Sequence, residues 1–225
     1  MLVKERMSRP VITVHPDTVV PEAIKMMKDE NVRRFPVVDK RGKLVGIVSE
    51  RDLLHAQPSG ATTLSIWEIN YLLGKITVDK VMTRRVIAIT EDTPLEEAAR
   101  IMADHKIGGL PVLREGQVVG IITETDLFKI FLELLGAREP GVRINTLVPN
   151  KPGVLAAMTK AIYELGGNII ALGTFLGESS EDREITLKVD GVDRTALTEA
   201  LEPLVERILD VREGAPAEPI LVGGG

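Results

Sequence analysis

Sliding the chain along itself by 75 residues lays MSRPVITVHPDT (7–18) on MTRRVIAITEDT (82–93). The same offset aligns Ala23 with Ala98, Met27 with Met102, and FPVV (35–38) with LPVL (110–113). One residue is then lost at a turn, DKRGK against REGQ, and from there the offset is 74. At that offset GIVSERDL (46–53) falls on GIITETDL (120–127). An internal repeat of this length constrains the fold strongly, because each copy must be the same supersecondary unit used twice.

The grammar of one copy can be read from its local signals. A β-branched run, Val11–Val14 or Val86–Ile89, predicts a strand. Thr18 or Thr93 then predicts a helix cap. In the second copy Thr93-Pro94-Leu95-Glu96 places proline at the first helical position and glutamate at the third, a capping box. Ala98, Ile101 and Met102 mark one helical face. Two strands follow, joined by a tight turn at Gly42 or Gly116. The second of them runs into another helix at Ser49 or Thr123. Each copy therefore reads β-α-β-β-α.

Between the copies, residues 61–75 predict a linker helix opened by Ser65 and Glu68, with Trp67 and Tyr71 packing between repeats. After the second copy, KIFLELLGAREP (129–140) ends a helix at Gly136 and breaks at Pro140. A different pattern follows: strand Val142–Val148, helix Val154–Leu165 closed by Gly166-Gly167, and strand Asn168–Leu176. A polar turn, strand Glu184–Val189, helix Arg194–Arg207 and strand Ile208–Val211 complete it. This is the βαββαβ order of ferredoxin-like folds. The stretch AEPILVGGG has the composition of a flexible end. The domain reading is a first repeat at 1–60, linker 61–75, second repeat 76–136, a ferredoxin-like domain at 137–213 and a tail at 214–225, in an α/β (α+β) chain.

Composition narrows the function classes. A net charge of −5 argues against broad nucleic-acid binding, which needs many cations to displace counterions. The absence of cysteine excludes disulfides, thiolate metal sites and cysteine nucleophiles. No apolar run reaches membrane-spanning length, and MLVKERMSRP lacks the apolar core of a signal peptide, so the expected location is the cytoplasm.

Ser49-x-x-Asp52 and Thr123-x-x-Asp126 are capping boxes at strand-to-helix junctions, and that role alone accounts for both residue types. Their recurrence, each preceded by Gly46 or Gly120 and by Pro36 or Pro111 one strand earlier, points further. Each copy resembles a CBS domain, and the pair resembles a Bateman module over roughly residues 3–132. Residues 141–213 resemble an ACT domain through VPNKPGVLAAMTKAIYELGGNI. The CBS–CBS–ACT order with LSIWEINYLL between the repeats is similar to the acetoin-utilisation protein B family.

The resemblance implies two related clefts that take adenosine-containing ligands: AMP, ADP, ATP, S-adenosylmethionine or an NAD-like molecule, with no required cofactor. Asp52 and Asp126 would accept the ribose diol, whose two hydroxyls match two carboxylate oxygens. Ser49 and Thr123 would bond ribose or phosphate near a helix N-terminus. Backbone at Ile12–Thr13 and Ile87–Ala88 would line the base. The copies differ in charge: Arg51 precedes Asp52 where Thr125 precedes Asp126, and Arg33-Arg34 stand where Gly108-Gly109 stand in the second copy. Arg34 and Arg51 are therefore the candidate phosphate ligands; the cleft that Arg34 serves is open, as is a role as solvated strand end.

In the ACT region, Asn150-Lys151-Pro152-Gly153 resembles the family's ligand loop, with asparagine where many relatives carry aspartate. Gly153 would let the backbone approach an amino acid, Val154 and Leu155 would open the helix that holds its carboxylate, and Asn150 and Asn168 would line the cleft. A plain Pro-Gly turn, with Asn168 after a glycine cap, explains the same residues. No catalytic constellation is visible. His15, His55 and His105 lack metal spacing, Ser179-Ser180 lack a nucleophile elbow, and no phosphate-binding loop occurs. The sequence therefore predicts a non-enzymatic regulatory protein. It would sense an adenine nucleotide in the CBS pair, either bind an amino acid at the ACT domain or use that domain for assembly alone, dimerise through CBS and ACT domains, and act on an unknown metabolic enzyme in acetoin or related carbon metabolism. The alternatives are an enzyme or enzyme subunit of acetoin breakdown and an adaptor with vestigial clefts.

Overall fold

A computed structural model describes residues 1–56 and 74–214. The chain divides into two compact units, Met1–Leu127 and Phe128–Gly225. The linker reading at Ser65, Trp67, Glu68 and Tyr71 and the tail reading of AEPILVGGG lie outside the described residues.

In the first unit each copy supplies a helix, α1 (Val20–Asp29) or α4 (Leu95–His105), then an antiparallel hairpin. The hairpins are β1 (Arg34–Val38) with β2 (Leu44–Ser49), and β4 (Gly109–Arg114) with β5 (Gln117–Thr123). Glu115 and Gly116 both have positive φ, 50° and 81°, which suits a two-residue hairpin turn. Helices α2 (Glu50–His55) and α5 (Glu124–Leu134) leave the hairpins at the duplicated motif. The predicted leading strands are shorter than expected. Val14 makes a single parallel bridge to Val37, and of the second leader Ile89–Thr90 (β3) pairs with β4. Each leading segment meets the sheet only at its last residues.

The predicted caps at Thr18 and Thr93 do not form. Val19 and Pro94 are the N-caps, without side-chain cap bonds, and Thr93 Oγ1 lies 3.3 Å from Thr90 Oγ1 instead. The first-turn donors are met by backbone from the segment that leads the other copy. Val20 N–H donates to the Ile76 carbonyl at 2.9 Å, and Leu95 N–H to that of Met1 at 3.2 Å.

This exchange is systematic. Val3 N–H bonds Thr93 O at 2.9 Å while Val78 N–H bonds Thr18 O at 2.8 Å. Ser8 bridges Ile121, and Thr83 bridges Ile47. The leader of each copy therefore packs on the other copy, with Val78 in α3 (Val78–Val81) and Met82 inside the core of Val14, Val20, Ala23, Met27, Phe35, Val37, Val48 and Leu53. The motif glycines have their reason here. A Cβ on Gly46 would lie 2.4 Å from Met82 Sδ, and one on Gly120 would lie 2.4 Å from Met7 Sδ.

In the second unit β6 (Val142–Pro149), β7 (Asn168–Leu176), β8 (Asp182–Asp190) and β9 (Arg207–Glu213) form an antiparallel sheet in the order β7-β8-β6-β9. Helices α6 (Val154–Glu164) and α7 (Arg194–Leu201) contribute Met158, Ile162, Leu197 and Leu201 to a core with Val142, Ile144, Val148, Ile185, Leu187 and Val189. These strand residues alternate along β6 and β8, as one buried sheet face requires. The last helix is shorter than Arg194–Arg207. It ends at Leu201 and passes into a 3-10 turn, Glu202–Leu204, because Pro203 lacks the N–H that would continue it.

Candidate functional site

In both copies the motif aspartate turns back onto the hydroxyl residue three positions earlier. Ser49 N–H and Ser49 Oγ–H donate to Asp52 Oδ2 at 2.8 and 2.6 Å, and Asp52 N–H returns a bond to Ser49 Oγ at 3.3 Å. Thr123 N–H and Oγ1–H donate to Asp126 Oδ2 at 2.9 and 2.8 Å. The Ser49 hydroxyl thus caps α2, while in the second copy the Asp126 carboxylate accepts both Thr123 donors. In the bonds just described the box uses one oxygen of each carboxylate.

The box at Ser49 borders a cleft of about 610 Å³. Its walls come from three places: Arg33, Arg34, Ile47 and Ser49 to Asp52 in the first hairpin and α2; Thr83 and Arg85 to Ile87 in the exchanged leader; and Lys106 to Gly109 with Glu124 from the second copy. The leader exchange brings Ile87 and Asp52, which belong to different copies, onto one cleft. Among the described residues five cations line this cleft, Arg33, Arg34, Arg51, Arg85 and Lys106. Their counterparts in the duplication are Gly108, Gly109, Thr125, Pro10 and Asn31, all uncharged. Arg51 Nε also donates to His55 Nε2 at 3.3 Å.

Arg34 reaches onto the second copy. A Cβ on Gly108 would lie 2.5 Å from Arg34 Nη2 and 2.8 Å from Glu124 Oε2, and one on Gly109 would lie 2.9 Å from Arg34 Nη1. The glycine pair is what makes room for the guanidinium. Burial holds Arg34 below the ordinary arginine value; Glu124 opposes this, Arg33 adds to it, and Asp52 opposes it again. A partly desolvated cation beside a solvent-open cleft gains from an incoming anion.

Of the ten candidate residues in this unit, the cleft gathers Arg34, Ser49, Arg51, Asp52 and Ile87. Thr123 and Asp126 form their own box outside it. Ile12 packs on the first core, Thr13 precedes the Val14 bridge, and Ala88 precedes β3; none of the three lines this cleft. The sequence reading missed Arg85, Lys106 and Glu124. The first two are cations facing uncharged counterparts in the repeat, the same signal that marked Arg34 and Arg51.

In the second unit a cleft of about 290 Å³ is lined by Asn150 to Leu155, with Thr174, Arg183 and Ile185. It contains Asn150, Gly153, Val154 and Leu155, and Gly153 is the α6 N-cap at φ 94°. The Asn150 side chain holds the turn between β7 and β8, its Nδ2 donating to the Ser180 carbonyl at 3.1 Å. Asn168 does not join this cleft. It opens β7 opposite Asp190, whereas the cleft lies toward the other end of the strand, where Leu176 pairs with Arg183.

Among the described residues no cluster of His, Cys, Asp and Glu could hold a metal, and no helix is long and apolar enough to cross a membrane.

The chain is similar to known proteins in both units. The profile of the CBS domain matches residues 3–59 and 78–133, and that of the TTHA0829-like ACT domain matches residues 140–212. An L-aspartate semialdehyde sulfurtransferase of Methanocaldococcus jannaschii is 35% identical over 131 residues, 58% of this chain but only 23% of that protein. A CBS domain-containing protein of Dictyostelium discoideum is 33% identical over 136 residues, 60% of this chain and 94% of its own length. The CBS region thus occurs both as a small part of an enzyme and as nearly a whole protein. Among solved structures, the acetoin utilization protein AcuB of Vibrio cholerae is 34% identical, with a TM-score of 0.52, covering 62% of this chain and 96% of that one. The chain belongs to the CBS-domain family, as a CBS pair followed by a TTHA0829-like ACT domain.

Proposed function

We propose that this protein is a non-catalytic regulatory module that senses an adenosine-containing ligand in the cleft beside Ser49 and Asp52. The observation that carries the reading is the convergence of Arg34, Ser49, Arg51, Asp52 and Ile87 on one cleft of about 610 Å³, a size typical of small-molecule sites. Asp52 would receive the ribose diol, Ile87 would meet the base, and the cations would receive phosphate. AMP, ADP and ATP fit this division of labour; S-adenosylmethionine and NAD-like ligands share the adenosine part. The ACT unit would join two copies of the chain into a homodimer together with the CBS pair, and its loop cleft at Asn150–Leu155 would offer an amino acid a second site. Similarity to AcuB supports a role in acetoin or related carbon metabolism, exerted in the cytoplasm on a metabolic enzyme.

A thermal-shift screen of the full chain against adenine nucleotides and amino acids tests this directly. A ligand at about 100 times its Kd adds about 2.7 kcal/mol of stability. Arg34→Ala and Arg51→Ala should each weaken ATP by roughly 1.5–3 kcal/mol, the worth of a charge-assisted bond, and adenosine much less. Equal losses for ATP and adenosine would remove phosphate from the reading.

A further inference from the structure

The two copies are not merely different in charge; they are complementary across their contact. Arg34 lies where a side chain on Gly108 or Gly109 would collide with its guanidinium, at 2.5 and 2.9 Å. Those glycines occupy the positions in the second copy that Arg33 and Arg34 occupy in the first. An arginine at Gly109 would need the same space, so the pair has room for this cation once. Glu124 Oε2 stands at the same spot, 2.8 Å from the point that a Gly108 Cβ would occupy, and so faces Arg34 in the cleft. The remaining cations, Arg51, Arg85 and Lys106, follow the same rule, with Thr125, Pro10 and Asn31 at the equivalent positions.

We infer that the duplicated pair holds one phosphate-accepting site per chain rather than two, and that Glu124, whose carboxylate stands at the same spot as the Arg34 guanidinium, is a specificity-determining residue whose charge opposes an incoming phosphate. The inference rests on the ligand reading above but concerns the number and charge selection of the sites. Among the described residues five cations face three carboxylates in this cleft, Glu50, Asp52 and Glu124. With Asp52 bonded to the ribose, Glu124 is the carboxylate that shares the space beside Gly108 with the Arg34 guanidinium, and its charge opposes a phosphate there. Removing its charge should therefore strengthen anion binding, which is the opposite of what losing an ordinary binding residue does. Adding a methyl at Gly108 should expel the guanidinium and act like the loss of Arg34 itself.

Titration calorimetry of the full chain with AMP, adenosine and pyrophosphate separates the outcomes. The parent chain should bind one AMP per chain more tightly than adenosine, by about tenfold or more, the equivalent of one charged bond. Glu124→Gln should tighten AMP and pyrophosphate several-fold and leave adenosine within twofold. Arg34→Met, and Gly108→Ala where it folds, should erase the preference for AMP over adenosine. Two equal AMP sites per chain, or weaker AMP binding in Glu124→Gln, would overturn the inference while leaving the adenosine reading intact. Pyrophosphate bound once per chain and lost in Arg34→Met, with no binding of adenosine, would overturn the adenosine reading and support the single anion site.

Discussion

Replacing Asp52 by asparagine separates the two roles of the duplicated motif, because the helix cap and the ligand ask different things of the carboxylate. The cap bonds use Oδ2, which takes both Ser49 donors at 2.8 and 2.6 Å. An asparagine with its carbonyl oxygen in that place keeps both bonds and loses only their charge assistance. The difference between a charged and a neutral hydrogen bond is about 1 kcal/mol. For a chain of this size that lowers the melting temperature by roughly 2–4 °C. At the second carboxylate position the change is larger in kind. An acceptor becomes an NH2 group facing ribose hydroxyls, and the lost charged bond costs roughly 1.5–3 kcal/mol, about 10- to 150-fold in Kd. A ligand present at about 100 times the parent Kd would then add only about 0.3–1.4 kcal/mol instead of about 2.7. Thermal unfolding with and without AMP, for Asp52→Asn and Asp126→Asn, reads both effects. Asp52→Asn should lose most of the AMP-induced shift. Asp126→Asn should lose less, since its box lies away from the cationic cleft. A lower melting temperature combined with an undiminished AMP shift in Asp52→Asn would reduce that motif to a helix cap.

Two further outcomes follow from the packing and the assembly. Gly46→Ala places a methyl 2.4 Å from Met82 Sδ in a buried site and should destabilise the chain by about 1–3 kcal/mol. The double variant Gly46→Ala/Met82→Ala should be less damaged than the sum of the two single changes, and additivity in denaturant unfolding would refute the keyed contact. The homodimer should persist at micromolar concentration in light scattering, since an isolated four-stranded sheet exposes edges at β7 and β9 that pairing protects; a monomer there would defeat it.

How much of this was legible beforehand varies by element, and the reasons are physical. The βαββαβ unit could be read almost residue by residue, because its signals are local. Ile185, Leu187 and Val189 alternate on one strand, Gly166 ends a helix at φ 76°, and Pro203 stops another, a signal the sequence reading passed over. The Ser49 and Thr123 boxes were also legible, since the hydroxyl and the carboxylate that bond lie three residues apart. Thr93 carried the same local signal with Glu96, and Thr18 the hydroxyl alone, yet neither caps a helix, because backbone from the other copy reaches those helix starts first.

The sequence by itself determined that a β-α-β-β-α unit occurs twice, that a ferredoxin-like unit follows, and that the cations at Arg34 and Arg51 have no partners in the second copy. Periodicity, capping and turn chemistry act over a few residues, so one chain read in order contains them. Only the tertiary structure decided that the leaders exchange, that Gly46 and Gly120 make room for methionines, and that Arg34 crosses to lie over Gly108 and Gly109 with Ile87 and Asp52 on one cleft. Those placements join residues 35 to 113 positions apart, and a repeat in the sequence is equally compatible with each copy closing on itself or on its neighbour. Which of the two occurs is settled by where the buried side chains of Val3, Met7, Val78 and Met82 find a core to complete, and that is a property of the assembled pair.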